Sequence, residues 1–422
     1  MTDFLWIAGI LFLIFPGAIL WRMPAIGRLD LPARLSIALA GGIAIVTAIL
    51  YLYNFVHMPW TRFTVGVPLI ACVILSRRGG EGSRDQESFA SLSMTTMLIL
   101  IFAALTIYGV ATARETCGDL IYFWGPKGQR FHQAGSIDAG FLGFRDYFLM
   151  HSDYPPLVPL LYAWASLVAH RFSWWGALFL MPILLLATAF AFRGLARNGW
   201  YAALLTAILG YGFAIGMVGG AADPVLLLFE VIALAALTFD FEILAVIALA
   251  AVALTKVEGA VFVAMCAFAY LVTVWRRAPS PAAERPRAAA PTLRAILIPL
   301  PAAIFLGSWI VFAWRNQLID SYGLARGSIH LDLFASVVGE TLRQASYKIA
   351  YVPWLATLVP LALRRNFRRA WLPLIVAAGT LLSALFYYLH AVSPSWWIEA
   401  SAQRVLLTPL ACLVVASAAA TE

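Results

Sequence analysis

The sequence predicts an all-α fold, a polytopic transmembrane helix bundle of about 13 spans with interfacial helices in its first large outer loop. Three observations carry this. Hydrophobic residues make up 62% of the chain and charged residues only 12%. Apolar runs recur at about the 20-residue length that takes a helix across a bilayer. Most basic residues fall in short connections between those runs. A soluble domain is thereby excluded, and 422 residues so nearly filled by spans read as one transmembrane unit. The net charge of +8 then reports helix orientation and not a nucleic-acid partner. Cys72, Cys266 and Cys412 fall within predicted spans and Cys117 in a polar loop, so the cysteines suggest neither a disulfide framework nor a metal-ligand spacing.

Four apolar runs, near 3–21, 35–53, 61–76 and 94–113, open the chain. The first lacks a basic leader and a small-residue cleavage site, and is read as a retained span. The loops carrying Arg22, Arg28 and Arg34, then Arg77, Arg78 and Arg84, belong on the cytoplasmic side. That choice delivers the long polar loop 114–171 to the outer face. Within it, the stretch 155–170 decides the later topology. Counted as a span, it places Arg193 and Arg197 outside. Read as a surface or re-entrant helix of about 16 residues opened by Tyr154, Pro155 and Pro156, it returns both arginines to the cytoplasmic side, which is the reading taken. Runs near 173–192, 200–218, 223–239, 241–255, 258–275, 294–314, 346–363, 371–390 and 404–419 complete the count. The chain divides into N-terminal helices (1–93), a central module (94–275) and C-terminal helices (276–422).

With the topology fixed by basic loops, the remaining ionisable groups gather on the outer face: Glu115, Asp119 and Lys127 in the long loop, Asp223 at a helix start, Lys256 and Glu258 between two spans, and Arg404 at the mouth of the last. Glu115 and Asp119 stand four apart, the spacing that shares one helix face. Trp124, Lys127 and Phe131 continue an amphipathic pattern whose rings, with Phe123, are expected against lipid. Simpler readings stand beside these. The loop helix carries solvated charges, Asp223 is an N-cap, Lys256 and Glu258 form a local pair of little energetic weight, and Arg404 anchors topology. Glu230 lies mid-span, where a charge costs on the order of 3 kcal/mol, and is expected neutral or hydrogen-bonded within the bundle. The histidines show no metal-ligand spacing, and neither a cofactor nor a metal is implied.

The order of these features resembles the GT-C superfamily of membrane glycosyltransferases, in particular bacterial relatives of protein O-mannosyltransferases and of lipid A aminoarabinose transferases. The likeness runs over residues 94–275: an acidic first outer loop, the Tyr154-Pro155-Pro156-Leu157 helix start, Ala222-Asp223-Pro224, then Lys256-Val257-Glu258-Gly259, with a weaker echo at 401–409. The resemblance implies a sugar donor carried on polyprenyl phosphate, an acceptor that is a glycan, lipid or protein, and an active site on the extracytoplasmic face of a bacterial inner membrane. It implies Asp119 as catalytic base and Asp223 as the second acidic position. Many relatives carry an adjacent acidic pair in the first loop, and its separation here leaves Glu115 as the alternative base. Lys127, Lys256 and Arg404 are the expected phosphate-binding cations. Trp124, Tyr154, Pro155, Pro156 and Glu258 are expected to line the substrate groove. A transporter or flippase for a lipid-linked or amphipathic solute would use the same polar rim, and is the alternative.

Overall fold

The computed structural model describes residues 2–77, 94–112, 118–144, 151–212, 221–277, 289–318, 328–363 and 367–421. Glu115, the alternative base, and Cys117 lie outside them. Among the described residues the chain is helical, with no extended strand. Its main helices are α1 (Thr2–Phe12), α2 (Leu31–Phe55), α3 (Arg62–Arg77), α4 (Met94–Thr112), α5 (Gly125–Ala134), α6 (Leu157–Ala169), α7 (Trp174–Ala196), α8 (Gly199–Gly212) and α9 (Asp223–Thr238). They continue as α10 (Glu242–Ala253), α11 (Val257–Arg277), α12 (Leu300–Arg315), α13 (Phe334–Ala345), α14 (Val352–Leu363), α15 (Trp371–His390), α16 (Pro394–Val405) and α17 (Leu407–Ala419).

By length and composition, seven stretches in these residues can cross a membrane: Thr2–Arg22, Leu31–Phe55, Trp174–Ala196, Val257–Val274, Leu293–Arg315, Trp371–His390 and Pro394–Ala419. Shorter apolar helices accompany them, among them Glu242–Ala253 and Val352–Leu363. The run expected over 346–363 is not one helix. Tyr347, Lys348, Ala350 and Tyr351 all take positive φ, so the chain turns sharply before α14 begins. Conversely, the last stretch long enough to cross starts at Pro394 and not near 404: α16 and α17 follow one another with a break only at Leu406, and the polar Ser401 and Arg404 on α16 are taken up by Tyr388 and Asp119.

Helix α9, apolar but for Asp223, Glu230 and Thr238, is buried along its whole length, as a helix apolar on nearly every side must be. It packs against α7, α10 and α17. The N-terminal helices close on one another through glycine: a Cβ at Gly17 would run into the carbonyl of Ala38, and one at Gly42 into that of Leu13. Only a residue without a side chain admits this backbone approach.

Helix α6, expected as a surface or re-entrant helix, does not lie on the protein surface. All but one of its residues are buried, and it is packed among α1, α2 and α5. Trp164 donates to the Gly9 carbonyl at 2.9 Å, and Arg62 donates to the terminal carbonyls of Leu167 and Val168, closing a helix end that would otherwise leave acceptors unpaired. At its start, the Leu157 amide donates to the Leu254 carbonyl at 2.8 Å. That bond fixes the segment Tyr154–Pro156 beside Lys256. Trp124 and Phe131 are likewise not turned to lipid, each being only 1% exposed. Their rings are large enough to fill the space between α5 and α6, so the amphipathic face of the loop covers protein instead of membrane.

Ion pairs distinguish the two ends of the bundle. At one end Asp30 caps α2 through the Ala33 amide and pairs with Arg193 at the close of α7, while Glu242 pairs with Arg294 at 3.4 Å. At the other, beyond the roughly 24 Å length of α9, stand Asp223, Lys256 and Arg404.

Candidate functional site

A cleft of about 490 Å³ opens at that second end. Its walls follow helical periodicity. Helix α9 contributes Asp223, Leu226, Leu227 and Glu230, and α15 contributes Thr380, Ser383, Ala384 and Tyr387, both the i, i+3, i+4, i+7 stripe of one helix face. Helices α16 and α17 supply Trp397, Ser401, Arg404 and Thr408. The rim is completed by Asp119 and by the aromatic segment around Tyr154.

The ionisable residues form one connected cluster. Arg404 Nη1 lies 2.5 Å from Asp119 Oδ2 and 3.7 Å from Asp223 Oδ2. Lys256 Nζ lies 3.2 Å from Asp223 Oδ1 and 3.2 Å from Glu258 Oε1. Three carboxylates thus share two cations. Asp223 is not the N-cap: Ala222 holds that position and Asp223 begins the helix, where the macrodipole still favours its charge. Its carboxylate instead turns to Lys256 and Arg404. Lys256 and Glu258 are more than a local solvated pair, since Lys256 is only 7% exposed and reaches across to α9. Burial acts to lower the Lys256 pKa, but Asp223 and Glu258 outweigh it and the net shift is upward. Arg404 is more than a topology anchor for the same reason, its guanidinium being spent on carboxylates. Asp119 stands just before a π-helical turn, Leu120–Trp124, a local geometry common where a side chain has to be re-aimed.

An aromatic wall stands on each side of the cluster. On one, His151 stacks on Tyr154 with ring centroids 4.5 Å apart, Phe123 meets His151 edge-on at 4.8 Å, and Trp124 lies 5.8 Å from Tyr154. On the other, Tyr387 and Trp397 meet at 5.9 Å. Burial, reinforced by Lys127, Lys256 and Arg404, pulls His151 down to about 3. Its imidazole is therefore neutral near pH 7.

Of the residues expected in a substrate groove, Trp124, Tyr154 and Glu258 line the cleft. Pro155 lines a separate groove of about 930 Å³, which shares Val257 with the cleft and runs along α12 past the buried Trp309 and the exposed Ile310 and Trp314. Pro156 lines neither. Lys127 is also outside the cleft. Its amine donates to the His151 carbonyl at 2.5 Å and lies 5.1 Å from the Trp124 ring centre. Burial, only partly offset by Asp153, brings its pKa down to about 7. It is held behind the aromatic wall and does not line the cleft.

The chain matches no known protein family, characterised protein or solved structure. Among the described residues no group of three or more histidine, cysteine, aspartate or glutamate side chains is arranged to hold a metal ion. Sequence reasoning missed His151, Tyr387, Trp397 and Thr408 as cleft residues. For Thr408 a signal existed, since it stands one helical turn beyond Arg404 on the same face.

Proposed function

We propose that the chain is an inverting glycosyltransferase that moves a sugar from a polyprenyl-phosphate carrier to an acceptor hydroxyl at the extracytoplasmic face of a membrane, in a bundle of about 13 spans. One observation carries the reading: Asp119, Asp223, Lys256 and Arg404, drawn from separate parts of the chain, meet in one cleft.

The chemistry needs a base for the acceptor and positive charge for the leaving phosphate. The acceptor oxygen attacks the anomeric carbon as its proton passes to the Asp119 carboxylate. The bond from that carbon to the phosphate oxygen breaks, and its electron pair leaves on the phosphate. Displacement from the opposite face inverts the anomeric centre. Arg404 and Lys256 take up the developing charge, and they act strongly because the cleft is partly closed to water. Both cations are engaged by carboxylates in the free protein, so an arriving phosphate competes for them. As it draws Arg404 away from Asp119, it leaves that carboxylate unpaired and more basic. Cation recruitment and base release are then one event.

A transporter or flippase is the second reading, favoured by one feature: Glu230 lines the cleft well inside the bundle, where transporters place ionisable groups. Reconstituted proteoliposomes carrying a polyprenyl-phosphate sugar separate the two. Asp119→Asn is expected to lower transfer by about 10² to 10⁴, the usual contribution of a general base, and Asp223→Asn to lower it as well. Full transfer by both variants removes the site assignment. Lipid movement across the bilayer without product selects the transporter.

A further inference from the structure

The cleft has two polar levels, and the mechanism above uses only the upper one. Helices α9 and α17, the latter continuing α16, meet twice. Near the mouth, Asp223 faces Arg404. About 10 Å deeper along α9, Glu230 faces Thr408, which donates to Glu230 Oε2 at 2.7 Å. Thr380 and Ser383 of α15 line the same cavity.

The lower level has an unusual hydrogen-bond balance. The Thr408 proton is committed to Glu230. The hydroxyls of Thr380 and Ser383 donate to carbonyls of their own helix, those of Val376 and Gly379, which leaves their oxygens free to accept. Among the described residues nothing bonds Glu230 Oε1, although the side chain is only 3% exposed. That oxygen is not sealed off but opens on the cleft, where it can accept from a donor that enters. No cation lines this level, so a phosphate, which only accepts and is negatively charged, does not suit it. An isoprenoid chain would offer no donor to Glu230 Oε1 or to the hydroxyl oxygens of Thr380 and Ser383. A group rich in hydroxyl donors suits all of them.

We propose that Glu230, Thr380, Ser383 and Thr408 form a sugar subsite that receives the hydroxyls at the far edge of the ligand's uncharged ring, its anomeric carbon staying at the mouth within reach of an acceptor deprotonated by Asp119. The proposal rests on the transferase reading and goes beyond it by assigning Glu230 as the residue that distinguishes a glycosylated carrier from the bare one. The phosphate stays at the Arg404 and Lys256 level, and the apolar chain leaves by the side.

The test compares binding of polyprenyl phosphate with that of polyprenyl phosphate carrying mannose, glucose or arabinose. It uses the full-length protein in nanodiscs, followed by the fluorescence of the cleft tryptophans. The wild type is expected to hold at least one glycosylated lipid about tenfold more tightly than the bare lipid, the margin of one or two hydrogen bonds. Glu230→Leu and Thr408→Val are expected to erase this margin while leaving the bare-lipid Kd unchanged, which also shows that the variants are folded. Glu230→Gln, which keeps both hydrogen-bonding capacities, is expected to retain most of it. The subsite is overturned if Glu230→Leu leaves the margin intact, or weakens bare and glycosylated lipids equally. It is overturned in its uncharged form if Gln behaves like Leu, which points to a cationic substituent paired with the carboxylate. If the wild type binds bare and glycosylated lipids alike and still transfers sugar, the subsite fails and the transferase stands. If it binds none of these lipids, the transferase reading itself falls.

Discussion

Lys256 and Lys127 are buried to nearly the same degree, 7% and 2% exposed, yet their surroundings treat the charge in opposite ways. Lys256 stands between Asp223 and Glu258, so its ammonium is stabilised where burial alone would expel the proton. Lys127 has a backbone carbonyl and two aromatic faces, and burial prevails. The difference teaches that burial by itself does not decide protonation in this protein; the countercharge within reach does. One lysine belongs to a charged cluster able to receive an anion. The other is part of the wall.

The sharpest way to break this comparison is to remove each amine. Lys256→Met strips Asp223 of its nearer partner, and loss of one member of a buried pair typically costs about 3–5 kcal/mol. A large fall in the midpoint of thermal unfolding in detergent is expected, with loss of transfer. An unchanged midpoint would show that the cluster is not a paired network.

Lys127→Met is expected to act less, and mainly through pH. The folded amine titrates at about 7 against an ordinary 10.5, so between these values the unfolded chain binds more protons than the folded one. Stability therefore rises with pH across that window and declines as pH falls through 7. Methionine at this position should flatten the rise between pH 7 and 9.5 while leaving transfer near wild type. Persistence of the slope would assign it to another group.

The smallest effect calibrates both. Arg130 and Asp138 pair at 2.7 Å at a solvent-exposed position, and Asp138 also caps a short helix through the Phe141 amide. Asp138→Ala is expected to cost about 1 kcal/mol, most of it the cap. Arg130→Ala should cost less still. Equal losses would mean that the exposed pair carries weight comparable to the cap.

Much of this was legible in the chain itself. Apolar runs marked the helices, and the basic connections marked one end of the bundle, because both signals are written locally. That alone was enough to gather Asp119, Asp223, Lys256, Glu258 and Arg404 at the other end. What was hidden is what depends on partners distant in sequence. Trp124 and Phe131 have the spacing of a lipid-facing stripe, and nothing in that spacing says that α6 lies beneath them. Lys127 carries the same formal charge as Lys256, and only the distance to a carboxylate separates their roles. Glu230 was recognisable as out of place, but its cavity is made by α15 and α17, over a hundred residues further along the chain.

The groove along α12 bears on how concentration should be counted. It adjoins the cleft at Val257 and includes the exposed apolar side chains of Ile310 and Trp314; under the proposed function, a lipid-carried donor entering through it would come from the surrounding bilayer. Occupancy then follows the ligand's mole fraction in the bilayer. Doubling the inert phospholipid in a vesicle would halve the supply even though the amount of ligand per litre of suspension had not changed.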